Sequence, residues 1–211
     1  MLKFVSFDVG GTLMDYTYLN YVWNEIIPQL YALKKGLGFE KAKEYVLTEY
    51  NRIGSKDIRW YLPEYWFLHF NLDKEPLEVF RSHVDKINFY PEVPSVLESM
   101  VERHDLIIAS VTPKNITEVI FEGFRHFFKH IFSPVSDFQE VKKTERFYEM
   151  ICRVLKIEPS AVVHVGDDWD SDYIAPRKAG LRSFFLDRTE ERTGKFVIKS
   201  LTELEDRFSN Q

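Results

Sequence analysis

Four groups of polar residues lie along the chain, each at or near the end of a short apolar run. They are Asp8 with Thr12, then Ser110, then the Lys142–Lys143 pair, then the acidic stretch 166–172, which reads Gly-Asp-Asp-Trp-Asp-Ser-Asp. A carboxylate can attack phosphorus, a hydroxyl and an ammonium can hold phosphate oxygens, and a second acidic cluster can hold Mg²⁺. These are the groups that phosphoryl transfer through an aspartyl phosphate requires.

Short apolar runs predict the strands that position these residues. The runs 2–7, 106–109, 161–165, 183–186 and 196–198 suit strands buried on both faces. Helical patterns at 94–103, 114–122 and 144–156 alternate with them, and this alternation is typical of a parallel α/β sheet. A capping-box pattern, Ser200 with Glu203, predicts a last short helix. Ligands of open α/β sheets bind beyond the carboxyl ends of the strands, where the polar residues lie.

One long segment, residues 16–89, interrupts the alternation. It contains no convincing strand, but it has helical patterns at 19–34, 40–53, 59–70 and 77–87. We therefore predict a helical insertion after the first strand.

The composition excludes several classes of protein. The net charge of the 211 residues is −5 and the 28 Lys and Arg residues are dispersed, so no nucleic-acid partner is indicated. With the single Cys152, no intrachain disulfide or cysteine zinc site can form, which fits a reducing cytoplasm. No run approaches the roughly 20 apolar residues of a membrane span, so a cytoplasmic protein without membrane contact is expected. The sequence predicts no oligomeric state.

The motifs together resemble those of haloacid dehalogenase (HAD) superfamily hydrolases. The resemblance rests on 8–13 (Asp-Val-Gly-Gly-Thr-Leu), on 106–110 ending in Ser110, on the cap re-entry 90–94, and on Gly166-Asp167 with Asp172 five residues after the aspartate. Four pieces in the family's order are more specific than any one of them. The resemblance implies a Rossmann-like parallel-sheet core at 1–15 and 90–211, and an all-helical cap domain at 16–89.

The resemblance also implies the role of each site residue and the cofactor Mg²⁺. Asp8 is the expected nucleophile, with Ser110 and Lys142 as its catalytic partners. The expected magnesium ligands are Asp8, the backbone carbonyl of Gly10, Asp167 and Asp172, with Asp168 in reserve. The substrate phosphate is expected at Gly11, Ser110 and Lys142. The implied activity is hydrolysis of a small phosphorylated metabolite.

The phosphate-binding lysine that the resemblance implies could be Lys142 or Lys143. The family lysine stands six residues before an aromatic residue of the next helix, and counting back from Tyr148 gives Lys142. Lys143 stays open, because the usual proline after the lysine is absent and the register could slip by one.

Gly10 departs from the phosphatase pattern, in which an aspartate at this position protonates the leaving group. The departure predicts an enzyme that is weak or selective for good leaving groups. It also leaves two alternatives: a phosphonate- or halide-cleaving member of the superfamily, and a non-catalytic binding module. The aromatic-rich insertion is expected to use most rings for its own core. Tyr16, Arg59 and His69 are candidates for facing the substrate.

Overall fold

The computed structural model describes residues 2–209; Met1, Asn210 and Gln211, which fall in the predicted core domain, lie outside the described residues. Its centre is a six-stranded sheet in the order β3-β2-β1-β4-β5-β6, and every strand pair is parallel. The strands are β1 (Phe4–Phe7), β2 (Asp105–Ala109), β3 (Phe128–Phe132), β4 (Val162–Gly166), β5 (Arg182–Leu186) and β6 (Val197–Ile198). The predicted parallel α/β fold is confirmed.

The register of the three central strands brings the predicted chemistry to one edge. Phe7 pairs with Ile108 of β2 on one side and with Val165 of β4 on the other. The next residues along the three strands therefore leave the sheet together, and these include Asp8 and Ser110. All four residues of β1 are buried, as expected for a strand with helices on both faces.

β3 is a strand that the sequence patterns did not predict. It lies at the edge of the sheet and pairs with β2 alone, with a register shift in between. Its residues Lys129 and His130 are exposed and interrupt the apolar run. Because an edge strand tolerates polar residues that face solvent, its sequence lacks the continuous apolar character of the central strands.

Residues 16–89 between β1 and β2 form helices and turns, with no strand. The helices are α1 (Thr17–Tyr21), α2 (Ile27–Lys35), α3 (Phe39–Ile53), α4 (Pro63–His69) and α5 (Pro76–Arg81), with a π-helical turn at Val22–Ile26 and 3₁₀ turns at Ile58–Tyr61 and Val84–Lys86. The two ends of this insertion meet: Asp15 donates its backbone N–H to Asn88, and Tyr90 donates to Leu13.

The insertion packs around aromatic side chains. Tyr18, Trp66 and Phe80 are fully buried there, and they belong to the same continuous apolar cluster as Phe7 of β1. These rings are packed as the prediction expects, but the core they form is continuous with that of the sheet and is not the insertion's alone. Burial of a large ring is among the strongest contributions to packing.

The remaining helices cover the sheet. They are α6 (Val93–Val101), α7 (Lys114–Ile120), α8 (Glu145–Leu155), α9 (Ala175–Lys178) and α10 (Leu204–Ser209), with short turns at Glu122–Phe127, Pro134–Phe138, Pro159–Ala161, Trp169–Ile174 and Leu201–Glu203. The Thr144 side chain caps α8, and the predicted Ser200–Glu203 capping box is present before α10.

Across residues 2–209, no helix combines the length and the apolar character that crossing a membrane requires.

Candidate active site

The loop after β1 carries Asp8 and turns sharply beneath the acidic stretch. Gly11 has φ +75°, a conformation that side chains rarely adopt. A Cβ atom at Gly11 would also lie 2.0 Å from Oδ2 of Asp167. Glycine at this position therefore serves two purposes: it permits the turn, and it lets the Asp167 carboxylate lie directly against the backbone.

Arg188 fixes the same loop from outside, and the sequence analysis missed it. Its guanidinium donates to the carbonyl oxygens of Gly11 (3.2 Å) and Thr12 (2.9 Å). It also forms an ion pair with Glu92 at 2.8 Å and lies over the ring of Tyr90. Glu92 and Tyr90 belong to the predicted cap re-entry, so one side chain connects that segment to the nucleophile loop. Arg188 follows β5, and nothing in the sequence around it indicates this role.

Lys143, not Lys142, reaches the site. The Lys143 ammonium contacts the Asp8 carboxylate and lies 2.5 Å from Oδ1 of Asp172, and the residue is 5% exposed. Lys142 is exposed on the surface. The preference for Lys142 is corrected accordingly. The spacing argument for Lys142 failed because Lys143 stands five residues before Tyr148, one fewer than the six that the argument assumed.

Asp172 is the most enclosed carboxylate of the site. Its Oδ1 accepts from Nε2 of His164 (2.8 Å) as well as from Lys143, and its Oδ2 accepts from the backbone N–H of Asp168 (3.2 Å). Since Nε2 must carry the proton to bond a carboxylate, Nδ1 of His164 accepts from the Ser6 hydroxyl at 2.9 Å. Ser6 and His164 are paired residues of β1 and β4, so the sheet itself fixes this carboxylate.

Burial and neighbouring charges raise the pKa of some groups of the site and lower that of others. Burial raises the pKa of Asp8, an effect that the nearby Lys143 opposes. Burial and the charge of Asp172 raise the pKa of Asp167 to about 6. Burial would raise the pKa of Asp172 too, but Lys143 and His164 outweigh it and hold that pKa low. Burial alone lowers the pKa of Lys143, but the carboxylates of Asp172 and Asp8 outweigh it and keep this pKa above its ordinary value.

The site offers an oxygen-rich set of metal donors. Asp8, Asp167 and Asp172 each place a carboxylate oxygen within 4.8 Å of the other two. The Asp172 carboxylate already binds Lys143 and His164 through its Oδ1 atom. The Asp167 carboxylate, in contrast, accepts from the hydroxyls of Tyr16 (3.3 Å) and Thr12 (3.5 Å) and forms no ion pair within 4 Å among the described residues. A half-buried carboxylate without a cationic partner and a neighbouring ionisable Asp8 fit a hard divalent cation such as Mg²⁺.

The Tyr16 side chain lies against Gly10. A Cβ atom on Gly10 would lie 2.7 Å from Cε1 of the Tyr16 ring. The Tyr16 hydroxyl lies 3.1 Å from the Gly10 carbonyl oxygen and 3.3 Å from Oδ2 of Asp167, so it can donate to either. Tyr16 thus fills the space above Gly10 and brings a hydroxyl to the metal donors.

A cavity of about 510 Å³ opens above these residues, between the carboxyl edge of the sheet and the insertion. Ser110 lines it, is 3% exposed, and accepts at its hydroxyl oxygen from the N–H of Thr112 (3.4 Å), which leaves the hydroxyl proton free to donate. Two of the three insertion candidates lie elsewhere. His69 bonds Glu49 (2.8 Å) within the insertion, and Arg59 pairs with Asp57. Of the three, Tyr16 lines the cavity.

Residues 2–180 match the haloacid dehalogenase-like hydrolase family. A curated relative, the GMP/IMP nucleotidase YrfG of Escherichia coli K12, is 32% identical over 69 residues, which amount to 33% of this chain and only 31% of the relative.

Two solved structures have the same fold. A HAD phosphatase from Thermococcus onnurineus has a TM-score of 0.81 at 24% identity, over 100% of this chain and 99% of its own. A 2-haloacid dehalogenase from Pseudomonas syringae pv. Tomato DC3000 has a TM-score of 0.72 at 20% identity, with the same coverage. With the family match extending over most of its length, the chain belongs to the haloacid dehalogenase-like hydrolase family.

Proposed function

We propose that the protein is a Mg²⁺-dependent phosphohydrolase that acts on a small phosphorylated metabolite through an aspartyl phosphate on Asp8. The observation that carries the proposal is the joint position of Asp8, Lys143 and Asp167 at one end of a cavity, with Ser110 on its lining. A nucleophile, a buried cation and an unpaired carboxylate are the groups that phosphoryl transfer needs. The relative named a nucleotidase supports the phosphatase side of the family.

Two chemical steps follow from these positions. In the first, a carboxylate oxygen of Asp8 forms a bond to phosphorus while the ester oxygen leaves. In the second, water attacks the same phosphorus, inorganic phosphate departs, and the Asp8 carboxylate is restored. Lys143 contacts Asp8 and opposes the rise of its pKa on burial, and its ammonium together with the Ser110 hydroxyl would hold phosphoryl oxygens.

The metal would be held by Asp8, Asp167 and the carbonyl of Gly10. Asp172 contributes indirectly, because its oxygens are used by Lys143, His164 and the N–H of Asp168. When bound, Mg²⁺ would supply neutralisation of the charge on the phosphoryl oxygens. This assignment narrows the four expected ligands to three direct ones.

Residue 10 has no acid with which to protonate the leaving group. Gly10 carries no side chain, and the Tyr16 hydroxyl lies 3.1 Å from its carbonyl oxygen. Burial raises the pKa of Tyr16, so the hydroxyl keeps its proton at neutral pH. A phenol is a much weaker acid than a carboxylic acid, and we therefore infer selectivity for good leaving groups, with Tyr16 giving limited assistance to poor ones.

The insertion 16–89 would act as a cap over the cavity, since its side chains form the wall opposite Asp8. The substrate phosphate would lie between this wall and the loop at Gly11.

The test is a Mg²⁺-dependent screen of phosphate release from acyl, aryl and alkyl phosphates, with 2-haloacids and phosphonates included. We expect release from acetyl phosphate and p-nitrophenyl phosphate that stops when the metal is chelated. Halide release without metal would favour a dehalogenase. Magnesium binding seen by calorimetry, without turnover of any compound and without trapping by beryllofluoride, would favour a binding module.

A further inference from the structure

The cavity has two chemically different sides. The side formed by the core carries the carboxylates, Lys143 and Ser110. The side formed by the insertion carries no charged residue among the described ones; it consists of Tyr16, Leu19, Asn20, Trp23, Asn24, Tyr50, Trp60 and Tyr61. The part of the substrate beyond its phosphate therefore meets a neutral surface rich in aromatic rings.

The rings of the insertion side are held in fixed positions. Trp23 and Tyr50 meet edge to face with centroids 5.9 Å apart, and the Tyr50 hydroxyl donates to the Trp23 carbonyl. Trp60 and Tyr61 meet edge to face at 5.1 Å, and the Tyr61 hydroxyl donates to the carbonyl of Ser55 (3.1 Å). With both tyrosine hydroxyls bonded to backbone, these tyrosines offer the cavity ring carbons rather than polar ends. Fixed aromatic surfaces of this kind bind flat rings by stacking and edge contacts.

Two asparagines add directional polarity to this surface. Asn20 and Asn24 are four residues apart on the first helical stretch of the insertion, and both line the cavity. Neither side-chain amide bonds to any other residue within 2–209. Each amide offers two donors and an acceptor, which match the ring nitrogens and exocyclic groups of a heteroaromatic compound.

The charges of the cavity limit the substrate to one phosphate. Lys143 is the single basic residue among the described cavity-lining residues, and Asp8 and Asp172 already bind it. Asp167 and Asp168 add further negative charge. A second phosphate would bring more anionic charge to a site whose lining has no second basic side chain.

We propose that the insertion side is a ring-binding site, and that the substrate is a heteroaromatic group carrying a single phosphate, of which a nucleoside monophosphate is the form to test. Trp23 and Trp60 provide the stacking surface, and Asn20 and Asn24 bind the edge of the ring. The proposal rests on the phosphohydrolase function and names the substrate class of the same site.

The test compares phosphorylated compounds that differ in the part beyond the phosphate or in the number of phosphates. AMP and ribose 5-phosphate differ by the base and AMP and ADP by one phosphate, whereas pyridoxal 5′-phosphate carries a different heteroaromatic ring and no sugar. Each is titrated as an inhibitor of Mg²⁺-dependent acetyl phosphate hydrolysis, and its Kd is measured by calorimetry with Mg²⁺ present. We expect AMP to bind about tenfold or more tightly than ribose 5-phosphate, and ADP to bind less tightly than AMP.

Variants locate the binding. Trp60→Ala should remove most of the advantage of AMP over ribose 5-phosphate in the calorimetric Kd values, and Asn24→Ala part of it. The matched control is Tyr45→Ala, an exposed insertion aromatic outside the cavity lining, which should change neither this advantage nor acetyl phosphate hydrolysis. Tighter binding of pyridoxal 5′-phosphate than of AMP would support the ring-binding site but contradict a nucleoside monophosphate as its substrate.

Equal affinity for AMP and ribose 5-phosphate would overturn the ring site, even with acetyl phosphate turnover intact. Equal or tighter binding of ADP would overturn the limit of one phosphate. Absence of acetyl phosphate turnover would instead count against the proposed function, while the calorimetric Kd values would still decide the ring site.

Discussion

Asp8 is the residue on which the proposed chemistry depends. Asp8→Asn should lower phosphate release by roughly three orders of magnitude or more, because the amide is nearly isosteric but cannot attack phosphorus. Phosphate release and the thermal unfolding midpoint are measured together. Asp170→Asn, an exposed acid of the same edge, is the control and should behave as wild type. Full Mg²⁺-dependent turnover in Asp8→Asn would show that another residue is the nucleophile.

Lys143 and Lys142 form a natural pair of variants. Lys143→Met leaves the buried Asp8 and Asp172 carboxylates without their cation, a change that costs about 3–5 kcal/mol in proteins. We expect a lowered unfolding midpoint and activity reduced at least about a hundredfold. Lys142→Met should leave both unchanged, because this side chain is exposed. Loss of activity and stability in Lys142→Met but not in Lys143→Met, measured by kinetics and thermal unfolding, would show that Lys142 is the lysine of the site.

The contact between Gly10 and Tyr16 determines how an acid could be restored. Gly10 does not require a positive φ, but the Cβ atom of Gly10→Asp would meet the Tyr16 ring. The half-exposed ring must therefore move before the new carboxyl can reach the leaving group. We expect the double variant Gly10→Asp/Tyr16→Ala to raise kcat/KM for an alkyl phosphate relative to p-nitrophenyl phosphate by about tenfold or more.

Tyr16→Phe is the complementary variant. It keeps the ring over Gly10 and removes only the hydroxyl, so it should slow alkyl phosphates more than aryl ones. An unchanged ratio of the two kcat/KM values in correctly folded variants would mean that the leaving group obtains its proton from the substrate or from solvent.

At the scale of elements, the sequence predicted the central strands because each is a short apolar run followed by a polar residue. It missed β3, where Lys129 and His130 at an exposed edge remove that signal. The order of polar residues along the chain predicted which ones would meet, since parallel strands end at one edge. It could not distinguish Lys142 from Lys143, because a one-residue change in the connection to α8 decides which side chain turns inward.

Contacts between elements that are distant in the chain could not be predicted from the sequence either. The ring of Tyr16 over Gly10 and the pairing of Ser6 with His164 depend on how the insertion and the sheet pack. Arg188, which follows β5, joins the nucleophile loop to the segment at Glu92. No local pattern in the sequence encodes such three-way contacts.

Arg188→Met tests this connection between elements. Two backbone carbonyls of the loop and Glu92 would lose their donor, so the loop carrying Asp8 should be less well positioned. We expect kcat to fall about tenfold, because small misplacement of a reacting group is costly, while the Kd of AMP changes little. Arg192→Met, a nearby arginine outside these contacts, is the control. A loss of binding with unchanged kcat would contradict the positioning role.

At the scale of the whole molecule, metal binding, protonation and stability are coupled through Asp167. Its pKa is raised to about 6 in the folded protein, above the ordinary value of an aspartate. A carboxyl with a raised pKa stabilises the folded state at low pH, and this contribution is lost as the pH rises through about 6. Mg²⁺ requires the ionised form, so it should restore stability in the range where the proton has left.

The increase in unfolding temperature on adding Mg²⁺ should therefore grow as the pH rises from about 5 to about 8. At a free Mg²⁺ concentration about 100-fold above Kd, the added stability is about 2.7 kcal/mol, or roughly 5–10 °C for a chain of this size. At pH 5 about a tenth of the Asp167 carboxyls are ionised, which by itself removes about 1.4 kcal/mol of that gain. The raised pKa of Asp8, the other carboxylate ligand, reduces the gain further. Thermal unfolding with and without Mg²⁺ at several pH values measures the effect, with Asp167→Asn as the variant that should lose both the gain and its pH dependence. A gain that is equal at pH 5 and pH 8, or that survives in Asp167→Asn, would place the metal on other donors.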